Sequence, residues 1–229
     1  FLPLGYFALT VTNLEKYMAY LFVLQNISAN LGGMLTPFGN PQNLYLYSYF
    51  NIPTGEFCLI MLPAFLLAVT LLIVACIPVK PIKFTINEKF PEKLKKGKAA
   101  LYGIMFLFSI LIVFRVVPFF SFFLIIPIIL FFIDRDSLKM VDYGLLGTFF
   151  FFFSGNLSRM DSVNTIFSAL LEKDTLLVSI LSCQFISNVP SAILLSRFTG
   201  DYHALLLGVN IGGTGTLIAS LASLITFSE

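Results

Sequence analysis

Asn30–Asn40 reads NLGGMLTPFGN, and Asn210–Ser220 reads NIGGTGTLIAS. Laid over one another with a shift of 180 residues, the two agree at Asn30/Asn210, Gly32/Gly212, Gly33/Gly213 and Thr36/Thr216. Both copies are polar and glycine-rich, in otherwise apolar surroundings. Glycine and proline at this density interrupt a helix. Interrupted backbone at membrane depth is tolerated only where protein or a water-filled cavity satisfies the freed polar groups. Each copy therefore reads as the break in a transmembrane helix. The first helix is expected to run over Tyr17–Gln25 and to break from Asn26 onward. The second is expected over His203–Ser228, interrupted at Asn210–Thr216.

The surrounding sequence supports the membrane setting. The chain is 58% hydrophobic and 11% charged, against about 25% charged in a soluble domain. Phe57–Val79 and Ala99–Val117 are each long enough to cross a hydrocarbon core of about 30 Å as a helix. Pro118–Ile133 and Asp142–Ser154 are further apolar segments, and Phe1–Thr12 is already apolar. Tyr45, Tyr47 and Tyr49 suit an aromatic belt. The apolar runs do not alternate, so a β-barrel is excluded. The fold class is an all-α polytopic membrane protein. No charged leader precedes Phe1, and the chain reads as the C-terminal part of a longer protein.

Lys80–Lys98 carries seven Lys and two Glu. The positive-inside rule places this loop in the cytoplasm of a multi-pass inner (plasma) membrane protein. Nothing in it suggests nucleic acid, which would require basic and aromatic side chains interleaved on a folded surface. Cys58, Cys76 and Cys183 have no C-x-x-C spacing and read as small buried hydrophobes. With one His in the chain, a His-rich metal site is excluded. No cofactor is expected.

Thr175–Ser187 is an apolar arm, Ser187–Ser191 (SNVPS) a polar tip, and Ala192–Phe198 a second apolar arm. That pattern suggests a re-entrant hairpin. Counting spans outward from the cytoplasmic loop, the first broken helix runs outward and the second inward. Two copies of one motif in opposite directions make an inverted repeat, a construction of secondary transporters with sites at the midplane. The expected organisation is 1–79 as the C-terminal part of the first repeat, 80–98 as a linker and 99–229 as the second repeat.

GNPQNLYLY (Gly39–Tyr47), SNVPSAILL (Ser187–Leu195) and GVNIGGTGTLIASLASLI (Gly208–Ile225) resemble the ion transporter superfamily. That group includes ArsB/NhaD-like anion permeases, citrate transporters and divalent anion:sodium symporters. The resemblance spans nearly the whole chain and is greatest to the ArsB/NhaD-like permeases. It implies a hairpin with an Asn-containing tip and a broken helix in each half. Ser187–Asn188 match the second tip, and the first is expected before Phe1. The divalent anion symporters carry Ser-Asn-Thr at these tips; this chain has Ser-Asn-Val, one hydroxyl fewer.

The candidate substrate- and ion-binding residues are Asn30, Gly32, Gly33, Thr36, Gly39, Asn40, Ser187, Asn188, Pro190, Ser191, Asn210, Gly212, Gly213, Thr214 and Thr216. Amide oxygens can ligate a cation, and amide or backbone N–H groups at a half-helix N-terminus can bind an anion. The bland alternatives are a turn at Asn188 and close helix packing at the glycines. GGTGT is not a phosphate loop, since no strand precedes it and no Gly-Lys-Ser/Thr follows. Arg115 reads as a snorkelling residue, and Arg197 and His203 as gate or surface. No acidic residue sits clearly at mid-membrane, which favours an anionic substrate over a cation/proton antiporter. Without a G-x-S-x-G or His-Glu-x-x-His motif, an intramembrane hydrolase is disfavoured. The expected function is secondary active transport of a small anion by alternating access, with Na+ or H+ as coupling ion and a homodimer as a partner state. A Na+/H+ antiporter of the same superfamily and an anion channel are the alternatives.

Overall fold

The computed structural model describes residues 17–78, 96–118, 120–133, 161–216 and 218–220. Every regular element among them is an α-helix: α1 Met18–Met34, α2 Pro41–Tyr49, α3 Thr54–Cys76, α4 Lys96–Val113, α5 Phe120–Ile133, α6 Asp161–Lys173, α7 Thr175–Ile186, α8 Asn188–Leu195 and α9 Tyr202–Gly212. Two compact units form. One contains Phe1–Phe84 and Phe149–Glu229; the other is Thr85–Thr148, in which α4 and α5 pack together. Phe1–Thr12, most of the basic loop, Asp142–Ser154 and 221–228, where the second broken helix is expected to continue, lie outside the described residues.

α3 provides the ruler for the larger unit. Its 23 residues extend about 34 Å at 1.5 Å per residue, enough to span a bilayer. Pro63 lies inside it, which membrane helices tolerate. Leu59, Leu66, Leu67, Leu71 and Ile73 are exposed along it, while Phe57 and Met61 are buried. That is the arrangement of a helix that faces lipid on one side and protein on the other.

α1 runs antiparallel to α3. Tyr20 donates its hydroxyl to the Ala75 carbonyl near one end, and Cys58 Sγ lies 3.8 Å from the Leu35 carbonyl near the other. α1 does not break at Asn26 as its sequence suggested; it stays helical to Met34, and the interruption is Leu35–Asn40. Helical glycine costs only about 1 kcal/mol, and Asn30 donates back to the Asn26 carbonyl inside the helix. Pro37 and the Asn40–Pro41 step do the breaking instead: Asn40 is extended and Pro41 occupies the first turn of α2, where its missing N–H is harmless.

α7 and α9 run parallel, with Gly208 against Ser179 and Gly212 against Cys183. A Cβ at either glycine would collide with its neighbour, so these glycines supply close approach, not an unusual backbone angle. Asp174 and Asp201 cap the two helices by accepting from Leu177 N and Ala204 N. Between them the chain doubles back. Ser182 Oγ and Ser191 Oγ are 3.0 Å apart, although nine residues along a straight helix would separate them by about 13 Å. The turn is a single residue, Ser187, at φ 71° and ψ 158°. Such a backbone is nearly confined to glycine and costs about 1–3 kcal/mol elsewhere. Asn188, Pro190 and Ser191 form the first turn of α8 rather than a loop.

The start of α9 is tied to the start of α3: Tyr202 donates its hydroxyl to Glu56 Oε1 at 2.6 Å, and His203 Nε2 lies 3.0 Å from the same oxygen. α9 therefore runs with α3, and α1 against it. Arg115 follows α4 with a positive φ of 61°. α6, which the sequence reading did not anticipate as a helix, is pinned by Phe167 stacking on Phe198.

Candidate functional site

The two interruptions meet. Asn30 Nδ2 donates to Ser220 Oγ at 3.2 Å across 190 residues of chain. Asn210 Nδ2 donates to Asn43 Oδ1 at 2.6 Å, and Gln42 Nε2 to Asn210 Oδ1 at 3.3 Å. Asn30, Gln42, Asn43, Asn188 and Asn210 are all buried, with no more than 8% exposed. A buried amide without partners is costly, so this much buried amide requires the network that is observed.

The first break is held from behind. Asn43 Nδ2 reaches the carbonyls of Gly33 and Met34 at 3.1 Å and of Thr36 at 3.3 Å. The first two are carbonyls that a helix end leaves unsatisfied; that of Thr36 also accepts from Gly39 N at 3.2 Å. Asn40 Nδ2 donates to the Asn30 carbonyl at 3.1 Å. A Cβ at Gly33 would meet the Asn40 side chain and the Gly39 carbonyl, and one at Gly39 would meet Gly33. Gly32, by contrast, faces open space.

The second break is held from the side. Gln184 on α7 donates to the Gly212 carbonyl at 2.9 Å and accepts from Thr216 N at 2.9 Å. Thr214 Oγ1 donates to the Ile211 carbonyl. The hairpin turn joins the same place: Asn188 N donates to the Ala219 carbonyl at 2.8 Å, Ser187 Oγ to the same carbonyl at 3.4 Å, and Gly213 packs against the Asn188 side chain. Thus Ala219–Ser220 touches both the hairpin turn and α1.

The amides have opposite polarity. Asn30 Nδ2 spends its two N–H groups on the Asn26 carbonyl and Ser220 Oγ. Asn210 Nδ2 spends its own on the Leu206 carbonyl and Asn43. A backbone carbonyl can only accept, so the orientation of both amides is set by chemistry. Asn30 Oδ1 accepts from nothing among the described residues, and Asn210 Oδ1 accepts only from Gln42. At the hairpin, Asn188 Oδ1 accepts from Val189 N, and its Nδ2 donates to nothing among the described residues. Asn30 and Asn210 present acceptors; Asn188 presents donors. Gln25 Oε1, further back on α1, is also buried without a partner among the described residues.

The site thus gathers Asn30, Gly33, Thr36, Gly39, Asn40, Ser187, Asn188, Asn210, Gly213 and Thr216. Ser191 points instead at Ser182 inside the hairpin. Pro190 is buried in α8, and Gly212 serves α7–α9 packing. Gln42, Asn43 and Gln184 were missed by sequence reasoning. Gln42 and Asn43 lie just past the first motif copy, and the only available signal was two amides in the first turn of an otherwise apolar helix.

Among the described residues α3 is long and apolar enough to cross a membrane, and the ends of α1 and α9 meet beside it at a buried polar centre, an arrangement that suits a membrane transporter. Residues 4–203 match the citrate transporter family, and the chain belongs to that family. It is 39% identical to an uncharacterized transporter of Methanocaldococcus jannaschii over 98% of this chain and 62% of that protein. It is 30% identical to inner membrane protein YbiR of Escherichia coli over 90% of this chain and 57% of that protein. The chain thus spans about three-fifths of the length of these curated relatives. No solved structure matches it.

Proposed function

We propose that the full-length protein is a secondary active transporter of a small carboxylate-type anion in the inner (plasma) membrane, coupled to Na+ or H+ and working by alternating access. The observation that carries this reading is the meeting of two broken helices at buried amides of opposite polarity. An amide donor at Asn188 suits an anion, and amide oxygens at Asn30 and Asn210 suit a cation. None of the hydrogen bonds at this centre among the described residues involves a carboxylate, which favours an anion carrier over a Na+/H+ antiporter. In this reading α1–α2 and α9 with the segment after it are corresponding parts of an inverted repeat. The α7–α8 pair is a re-entrant hairpin: α7, at about 18 Å, ends near the middle of a core about 30 Å thick. Residues 80–98 face the cytoplasm.

Counterflow in proteoliposomes tests the function. Liposomes loaded with unlabelled citrate should transiently accumulate radiolabelled citrate, because a carrier exchanges and a channel does not. Asn188→Ala should weaken that uptake by about ten- to a hundred-fold, the loss of one hydrogen bond to a charged group. Absence of counterflow with citrate, other carboxylates and inorganic oxyanions would refute the reading. For orientation, Thr85→Cys should resist impermeant maleimide in intact cells and label in inverted vesicles.

A further inference from the structure

We propose that Asn43 is a positioning residue that couples the two helix breaks, so that the geometry of each depends on the other. Its role in a transport cycle rests on the reading above. The coupling itself rests only on geometry. Asn43 is fully buried, and both ends of its amide are committed. The nitrogen faces three carbonyls of the first break, at 3.1, 3.1 and 3.3 Å. Two N–H groups serve three acceptors, so the amide sits in a cup of carbonyls that can accept but never donate. That forces its oxygen to the opposite side, where Asn210 of the second break donates to it at 2.6 Å. Gln42 completes the clasp from the neighbouring position by donating to Asn210 Oδ1.

The consequence is a chain of enforced polarity. The carbonyls of the first break orient Asn43; Asn43 takes an N–H of Asn210; Asn210 is left with an oxygen lone pair to offer. A shift of the first break that tilts Asn43 removes a donor–acceptor pair from the second. Neighbours within one hydrogen-bonded network are where energetic coupling is expected. The device is not duplicated with the motif: the residue 180 positions on from Asn43 is Ser223, which has no amide. The Asn43 link therefore lies on one side of the pseudo-repeat, alongside the Gln42–Asn210 and Asn30–Ser220 hydrogen bonds.

The test needs no substrate, so failure of citrate counterflow and failure of this coupling are separately visible. Gly32 adjoins the first break and a side chain there meets open space. Gly32→Cys is introduced into the full-length protein with other reactive cysteines removed, and its alkylation by N-ethylmaleimide is timed. Asn43→Ala and Asn210→Ala should each change that rate by about five-fold, the equivalent of one lost hydrogen bond of about 1 kcal/mol. The double variant should go no further than the larger single one. An unchanged rate in Asn210→Ala, or effects that simply multiply, would overturn the proposal. Asn43→Asp guards against a folding artefact. Protonated, the carboxyl keeps one donor for the carbonyl cup; ionised, it keeps none. Burial against carbonyls favours the neutral carboxyl, so its rate relative to the Asn43 protein should approach one as pH falls from about 8 to about 5. A ratio held at the Asn43→Ala value over that range also overturns the proposal.

Discussion

The two copies of the Asn-x-Gly-Gly motif each lie where a helix stops, α1 at Met34 and α9 at Gly212, but are held by different means. The first break is closed by its own continuation: Asn43 on α2 returns to three carbonyls, and Gly33 and Gly39 touch backbone to backbone. The second is held by a neighbour: Gln184 on α7 bridges Gly212 and Thr216, and Gly213 packs on the Asn188 side chain of the hairpin turn. Asn43 also joins the two, through its hydrogen bond from Asn210. The shared motif makes each helix breakable, and the unshared amides decide what each break is attached to.

Four sets of substitutions would break or sharpen this contrast. The largest effect is expected at Gly33. A side chain there strikes backbone at Gly39 as well as Asn40, and backbone cannot rotate away. Gly33→Val should cost more than about 3 kcal/mol, read as loss of the monodisperse protein in detergent. Its counterpart Gly213→Ala meets chiefly the Asn188 amide, which can turn. That variant should purify normally and lose uptake to the extent Asn188→Ala does. Equal behaviour of the two glycines would erase the difference between the breaks.

Asn43→Leu should come next, at about 2–4 kcal/mol, because it strands buried carbonyls that water does not reach. Gln184→Leu should cost less, about 1–2 kcal/mol, since Thr216 is exposed and water can replace its bond, leaving the buried Gly212 carbonyl as the one loss. Thermal melts in detergent rank the two; the reverse order would mean the second break is the more deeply held.

Asn30→Ala and Asn210→Ala should both insert and purify, and each should weaken substrate or ion binding by about 1.5–3 kcal/mol, or ten- to a hundred-fold. The double variant should deviate from additivity if the two share a site. Uptake at the parental level in either single variant would reduce the pair to packing and capping groups. The smallest effect is expected beside Gly33. Gly32→Ala meets open space inside α1, gains helix propensity and should raise stability by up to about 1 kcal/mol. A loss of uptake with no loss of stability would show that Gly32 backbone is used for binding.

Much of this was legible in the residues themselves. Sparse charge and long apolar runs dictate membrane-spanning helices, because so little polar surface cannot cover a water-facing domain. Glycine and proline density located the point where each of the two helices stops, and SNVPS located the point at which the chain doubles back. The boundary of the first break was misplaced toward Asn26, because a sequence shows polar residues without showing that an Asn can be satisfied within its own helix. The structural roles of Gln42, Asn43 and Gln184 were invisible for a related reason. An amide in an apolar segment says that a partner must exist, and the hydrogen-bond requirement is local. Which carbonyl or amide meets it is settled only when α2, α7 and α9 come together, since Asn43 and Asn210 are 167 residues apart in the chain and 2.6 Å apart in the fold. The sequence by itself determined that helices stop at the two motif copies, because glycine and proline act locally. The tertiary structure decided that these ends meet and which end of each amide is spent within the fold, because the partners lie far apart in the chain.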